Sequence, residues 1–239
     1  MKVVLLRVGI DSGSGGCQGP LFRDDSFEYV PIPDYYAETY GCGEETRTYG
    51  NTIGRQERYL AEYLHPRLLG RPMHLDPEWK TFTYGTPSQP QSRLRSLEKG
   101  DLLVFYAGLE GWHWQSSPAL YIIGYFEVLA AGMAAHFERA DLQRLFRENA
   151  HLRHRCVYER DKDRLVLVKG SSKSRLLTKA VCISETGSNS AGEPLKVLSR
   201  RMQKKFGTFG GRNSIQRALP RWVEPAFVPR AADFVISLK

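Results

Sequence analysis

The sequence predicts an α+β fold: a curved mixed β-sheet or small barrel with flanking helices. Two observations carry this expectation. Strand-like apolar runs outnumber helical patterns, and they follow one another instead of alternating with helices. The clearest of them form a neighbouring pair in the middle of the chain, "DLLVFYAG" at 101–108 and "ALYIIGYFEVLAAG" at 119–132.

Taken in order, "KVVLLR" at 2–7 reads as a buried strand and breaks at once into the glycine–serine loop "DSGSGG" at 11–16. A short strand is expected near 27–32, ended by Pro31 and Pro33, before a polar, tyrosine-rich stretch to Asn51. Residues 53–65 place Ile53, Tyr59, Leu60, Tyr63 and Leu64 on one helical face, with Pro66 as the stop. The central strands are set at 101–107 and 119–130, and Gly124 inside the second marks a bulge or a close approach. A helix over 138–148 turns Leu142, Leu145 and Phe146 inward. Strands near 155–159, 164–168 and 180–184, a basic helix near 199–205 and a last strand at 233–237 complete the pattern.

The 239 residues are enough to bury a proper core. Hydrophobic residues make up 41% and charged residues 25%, the balance of a soluble globular protein. No apolar run approaches the ~18 residues of a spanning helix, and the apolar start is too short for a signal peptide. A cytoplasmic protein without a membrane partner is therefore expected. The four cysteines, Cys17, Cys42, Cys156 and Cys182, form no CxxC pair, which predicts free thiols rather than a zinc ribbon or a disulfide framework. The net charge of +8 clusters at 144–164 and 196–221. Clustered cations favour a polyanionic partner, a nucleic acid or nucleotide, because counterion release drives such binding.

The run Lys99-Gly100-Asp101 into Leu102–Tyr106, followed by Tyr121–Val128 around Gly124, is similar to the core of PUA-like barrels, which include EVE and YTH modules. With "RVGIDSGSGG…GPLFRDDSFEYVPIPD", "MHLDPEW" and "FTYG" added in that order, most of the chain to about Val223 resembles the third type of nucleotide-modification-associated domain. Members of that family occur near systems that modify DNA bases. The resemblance implies a small PUA-like barrel or curved sheet and a setting of nucleotide chemistry, and it carries no catalytic residues across. It also suggests one domain over 1–239: a core at about 95–185 with segments 1–90 and 190–239 packed on it.

Four places hold candidate chemistry. The glycine loop is neither a Walker A loop, since no GK[ST] follows, nor GxGxxG, since residue 18 is Gln. It still offers Arg7, Ser12, Gly13, Ser14, Gly15 and Gly16 as ligand-binding residues, with backbone donors and an arginine for phosphate, and Asp11 as an acid–base group. The bland reading is a turn capped by Asp11. In "MHLDPEW", His74 and Asp76 are acid–base candidates beside Glu78. A metal site needs a third ligand that the spacing does not name, so no metal or cofactor is expected. His151 and His154 lie in a basic segment that reads as solvated or nucleic-acid-facing.

Trp112 and Trp114 offer base stacking, with one of the two expected to point inward. Tyr84, in "FTYG", joins the ligand-binding set. In "GGRNSIQRALPRW", Arg212, Asn213, Gln216, Arg217 and Arg221 combine phosphate-matching forks with amide readers of base edges, a nucleic-acid-binding set tied down by Ile215, Leu219 and Trp222. Nucleophile signatures are poor: GxSxG is absent, Ser96 and Lys99 match SxxK by chance, and Cys17 reads as inert. Two functions remain open. One is a binding protein that holds a nucleotide or modified base; the other is an enzyme acting on a nucleotide or nucleobase, using Asp11, His74 and Asp76.

Overall fold

The computed structural model describes residues 1–34 and 47–239. Strand β1 (Val3–Arg7) is followed by the short β2 (Gly19–Leu21), β3 (Ile32–Pro33), β4 (Met73–His74) and β5 (Thr83–Thr86). The long pair β6 (Leu102–Gly111) and β7 (Ala119–Met133) leads to helices α1 (Arg139–Phe146), α2 (Ala150–Arg153) and α3 (Arg155–Asp161). Then come β8 (Val166–Gly170), β9 (Arg175–Cys182), β10 (Ser184–Ser188), β11 (Pro194–Leu198), α4 (Arg200–Phe206), β12 (Arg221–Trp222) and α5 (Val228–Ser237).

Eight strands make one mixed sheet along the path β12-β1-β6-β7-β8-β5, with β2 added to β6 and β9 to β7. The fold is α+β as expected, but the sheet is curved and open, not closed into a barrel. Its outer strands on this path are short, β12 with two residues and β5 with four; short edges limit pairing with other chains. β1 lies parallel to β6 and is buried along Val3–Leu6, which accounts for its unbroken apolar run. The fifteen residues of β7 pair with β6 and β9 along the first half and with β8 along the second.

Gly124 sits where the register of β7 shifts against both β6 and β9. A Cβ there would lie 2.5 Å from the Trp79 ring and 2.6 Å from the Arg175 carbonyl oxygen. The missing side chain makes room for Trp79, which meets Phe105 and Phe126 edge-on at 5.3 and 5.4 Å between ring centres. Smaller apolar clusters flank this main core. One gathers Ile10, Val30, Tyr49, Leu60, Leu68 and Met73; another gathers Ala134, Leu142, Phe146, Leu165 and Leu167.

Several expected elements differ. Residues 53–65 do not form an α-helix: Ile53 bridges Tyr59 around a tight turn, and only a 3₁₀ turn follows at Leu60–Tyr63. Ile53 and Tyr59 stay exposed, so the presumed apolar face has nothing to cover. Residues 155–159 belong to α3, not to a strand, with Asp161 at its end held by both Arg160 and Arg164. The final segment is helix α5, whose buried Ala231, Ala232 and Val235 share one face. Near 27–32 only Ile32 enters a strand, and Phe27 makes a single bridge to Leu21. The tyrosine-rich stretch lies largely outside the described residues, as does Cys42. Cys17 and Cys182 are free thiols as expected, whereas Cys156 is in a disulfide.

Filling the Gly124 gap should unseat Trp79. Gly124→Val is expected to destabilise the protein by about 1–3 kcal/mol, the usual cost of overpacking, and to lower the thermal midpoint by several degrees. An unchanged midpoint in calorimetry would show that Trp79 is not held there.

Candidate active site

The β3–β4 ladder pairs Ile32 with His74, and the Asp34 N–H donates to the Pro72 carbonyl. This register brings Asp34 beside His74. Past β4 the chain turns, and Asp76 is buried. Its main-chain carbonyl accepts from the Tyr29 hydroxyl at 3.0 Å, and both carboxyl oxygens accept the Gly85 N–H, at 2.9 and 3.1 Å. Trp79 anchors the same segment on the sheet, while Glu78 is spent on the local turn through the N–H groups of Lys80 and Thr81.

The third side chain comes from far downstream. Asn149, fully buried, caps α2 by accepting the His151 N–H at 3.1 Å, which sets the His151 ring against β5. A Cβ on Gly85 would lie 2.8 Å from that ring and 2.9 Å from the Asn149 oxygen, so only glycine admits this approach. His151 and His154 are both buried, which corrects their reading as solvated or nucleic-acid-facing groups. His151 is also the partner that the H-x-D spacing did not reveal.

The three groups converge on one atom. Asp76 Oδ2 lies 3.8 Å from His74 Nε2 and 3.5 Å from His151 Nε2. His74 turns its other nitrogen, Nδ1, toward Asp34 Oδ2 at 3.9 Å. Burial raises the Asp76 carboxyl to about 8, against a smaller opposing effect of His74 and the Gly85 N–H, and lowers the His151 imidazole to about 4. Near neutral pH the pair is thus a protonated acid beside a neutral imidazole.

These groups line a cleft of about 680 Å³ that also receives Arg7, Asp11, Ser14, Tyr84, Gln91 and Arg164. The glycine loop contributes Asp11 and Ser14 to this cleft, but its backbone donors point elsewhere. The N–H groups of Gly13 and Ser14 bond Asp11 Oδ1, and those of Ser14, Gly15 and Gly16 bond its carbonyl. Gly15 is buried, and a Cβ on it would run into Ile10. The loop is a turn built on Asp11, whose other oxygen pairs with Arg7 at 3.2 Å. Tyr84 spends its hydroxyl on Gln91 at 2.6 Å.

The other sequence candidates gather elsewhere. Ser12, Gly13, Gln216 and Arg217 line a second cavity of about 510 Å³ with Lys196, and this cavity shares Arg7 and Asp11 with the first. Arg212 is exposed, Asn213 hands its carbonyl to the Leu198 N–H, and Arg221 lies in β12 against β1. Trp112 and Trp114 are both half-buried, against the expectation of one free ring. Trp112 packs on Tyr63, and Trp114 donates to the Leu21 carbonyl. Gly16 lines a small recess beside Arg67. Burial raises the Cys17 thiol, in keeping with an inert role.

An open α+β sheet with a cleft lined from β1, β4 and β5 defines a class of architecture and no single activity. The family comparison is more specific: residues 2–237 match the model of nucleotide modification associated domain 3, and the chain belongs to that family. No curated protein and no solved structure matches it.

The raised Asp76 and lowered His151 give a test of the geometry. Between about pH 4 and 8 the folded protein keeps a proton on Asp76 that the unfolded chain releases, so this group's effect on stability worsens as pH rises. His151 acts in the opposite sense, and only below its unfolded value of 6.5. In chelator-treated protein the thermal midpoint is expected to fall from pH 6.5 to 8, and Asp76→Asn should flatten that slope. A slope unchanged in the variant would place the Asp76 titration elsewhere.

Proposed function

We propose that this protein is an enzyme acting on a nucleotide or nucleobase, with the cleft around His74, Asp76 and His151 as its active site. The family supplies the setting of nucleotide modification. The observation that carries the enzyme reading is the convergence of two imidazoles on one buried carboxyl inside a cleft of nucleotide size. A protein that only holds a base needs stacking rings and hydrogen-bond partners; it gains nothing from burying ionisable groups whose proton affinities are pushed apart. In this reading Arg7 and Arg164 attract the phosphate side of the substrate, Ser88 meets a polar edge, and the His74–Asp76–His151 cluster acts at the reacting atom. Asp11 keeps Arg7 in place and is not the base.

The test is mass spectrometry of nucleotide pools and of DNA and RNA digests after incubation with purified protein. A mass change on one nucleotide class is expected, and Asp76→Asn should slow it by ~100-fold or more, as loss of a group acting at the reacting atom does. Retained binding with no chemical change on any nucleotide class would favour a binding module instead.

A second reading concerns the adjoining cavity, where Lys196 and Arg217 stand beside Arg7 in a chain of net charge +8. This surface suits a phosphate backbone leading into the cleft. Fluorescence anisotropy with a labelled strand should show affinity falling steeply with salt. Arg217→Ala should reduce the log–log slope by about one unit for duplex DNA. A slope insensitive to Arg217 would remove it from the interface.

A further inference from the structure

We infer that His74, Asp76 and His151 form a binding site for one divalent first-row transition-metal ion, with coordination positions left open to water or substrate. The inference builds on the reading of this cleft as an active site, yet it concerns the cluster alone.

The distances within the cluster fit no hydrogen bond. Separations of 3.8 and 3.5 Å from Asp76 Oδ2 to the two Nε2 atoms are too long for good N–H···O geometry. They are close to the ~3.4 Å edge between two ligands that each sit ~2.1 Å from a shared tetrahedral ion. One ligand atom from each of the three residues lies within 4.8 Å of the others, so small side-chain rotations close the set. The two imidazoles meet almost at right angles, 77° between planes, and so present their nitrogens from different directions.

Two further features point the same way. His151 is almost wholly buried, and its Nδ1 has no hydrogen-bond partner among the described residues. Burying an imidazole with an unpartnered nitrogen costs stability, so the ring is held there for something other than packing. His74 carries the opposite arrangement: its Nε2 faces Asp76 while its Nδ1 faces the buried Asp34 carboxyl. Carboxylate behind histidine is the usual support for a metal-bound imidazole, fixing its ring and raising its basicity. The sequence brings these groups together through independent devices, the β3–β4 register and the Asn149 cap, which would be a strange investment for a cluster with no ligand.

The donor chemistry narrows the ion. Two imidazoles and one carboxylate suit Zn²⁺ or Fe²⁺ better than the all-oxygen ions Mg²⁺ and Ca²⁺. Three protein ligands, where a structural site would supply four, mark a site that leaves room for reactants. The cluster lines the same cleft as Arg7, Tyr84 and Arg164, where a reactant could reach it.

The experiment uses the full chain stripped with chelator and dialysed metal-free. Calorimetric titration with Zn²⁺, and separately with Fe²⁺ under anaerobic conditions, is expected to show one equivalent bound per chain. Co²⁺ should give the visible absorption of a low-coordinate nitrogen–oxygen site. Losing a ligand should weaken binding by more than the ~10–100-fold lost with a supporting partner, so at least ~100-fold for His74→Ala or His151→Ala. Asp34→Asn should cost less than either, and the exposed His136→Ala should cost nothing. Circular dichroism checks each fold; should His151→Ala fail to fold, His74→Ala, the less buried of the two, carries the comparison. No uptake by the parent, or equal uptake by His74→Ala, overturns the inference. Nucleotide turnover by a chain that takes up no metal overturns it while sparing the enzyme reading. Stoichiometric metal with no nucleotide chemistry would support this site and reject that reading.

Discussion

The seating of Trp79 over Gly124 is the constraint on which the candidate site depends. Four aromatic rings, Trp79, Phe105, Phe126 and Tyr29, meet edge-on around a gap that only glycine leaves open. Such contacts add about 0.5–1.5 kcal/mol each beyond the area they bury, enough together to hold one loop in one place. The held loop is the one that carries Asp76. Once the ring is docked, Tyr29 can reach the Asp76 carbonyl and Gly85 can reach its carboxyl. A packing event in the apolar core thereby fixes a polar group to within hydrogen-bond tolerance.

That precision comes at an energetic disadvantage that packing alone would never favour. A buried carboxyl and a buried imidazole are each disfavoured in their charged forms, and neither is satisfied by the other at these distances. Elsewhere this chain satisfies its buried charge: Asp161 is gripped by two arginines, and Asp101 takes the N–H groups of Lys2 and Glu98. The Asp76–His151 pair instead meets across 3.5 Å in a cleft of about 680 Å³, beside Gly85, where glycine is required for close approach. A buried acid and a buried imidazole left 3.5 Å apart with no hydrogen bond between them mark a place shaped for something other than stability.

Much of this was legible in the sequence, and the limits have physical causes. The unbroken apolar run of β1, the paired runs of β6 and β7, and the inward face of α1 follow from patterning that local sequence controls. Gly124 was recognisable as a close approach, although not what approached. The segment around Asp76 was visible because His74 and Asp76 are near neighbours. His151 was not: it reaches the cluster through tertiary packing, and its basic neighbours Arg153 and Arg155 disguise a buried ring. A helix N-cap at Asn149 is the signal that could have found it. Short elements were misread wherever β-branched or aromatic residues suggested strands, as in α3 and α5, because contacts with distant segments overrode weak local preference.

The glycine loop shows why composition alone misleads about chemistry. Small residues after a strand resemble a phosphate cradle, but here four N–H groups close on Asp11 and none is left over from Gly13 to Gly16. What the turn delivers is the far side of the same carboxylate, which pairs with Arg7. Arg7 also donates to the Gln216 carbonyl, tying the first strand to the basic segment near the C-terminus. Since Arg7 and Asp11 line both cavities, one ion pair forms part of the wall between the cleft and the basic recess. An anion entering from either side competes with Asp11 for the same guanidinium. The two cavities therefore meet at a single ion pair, held by the turn that Asp11 builds.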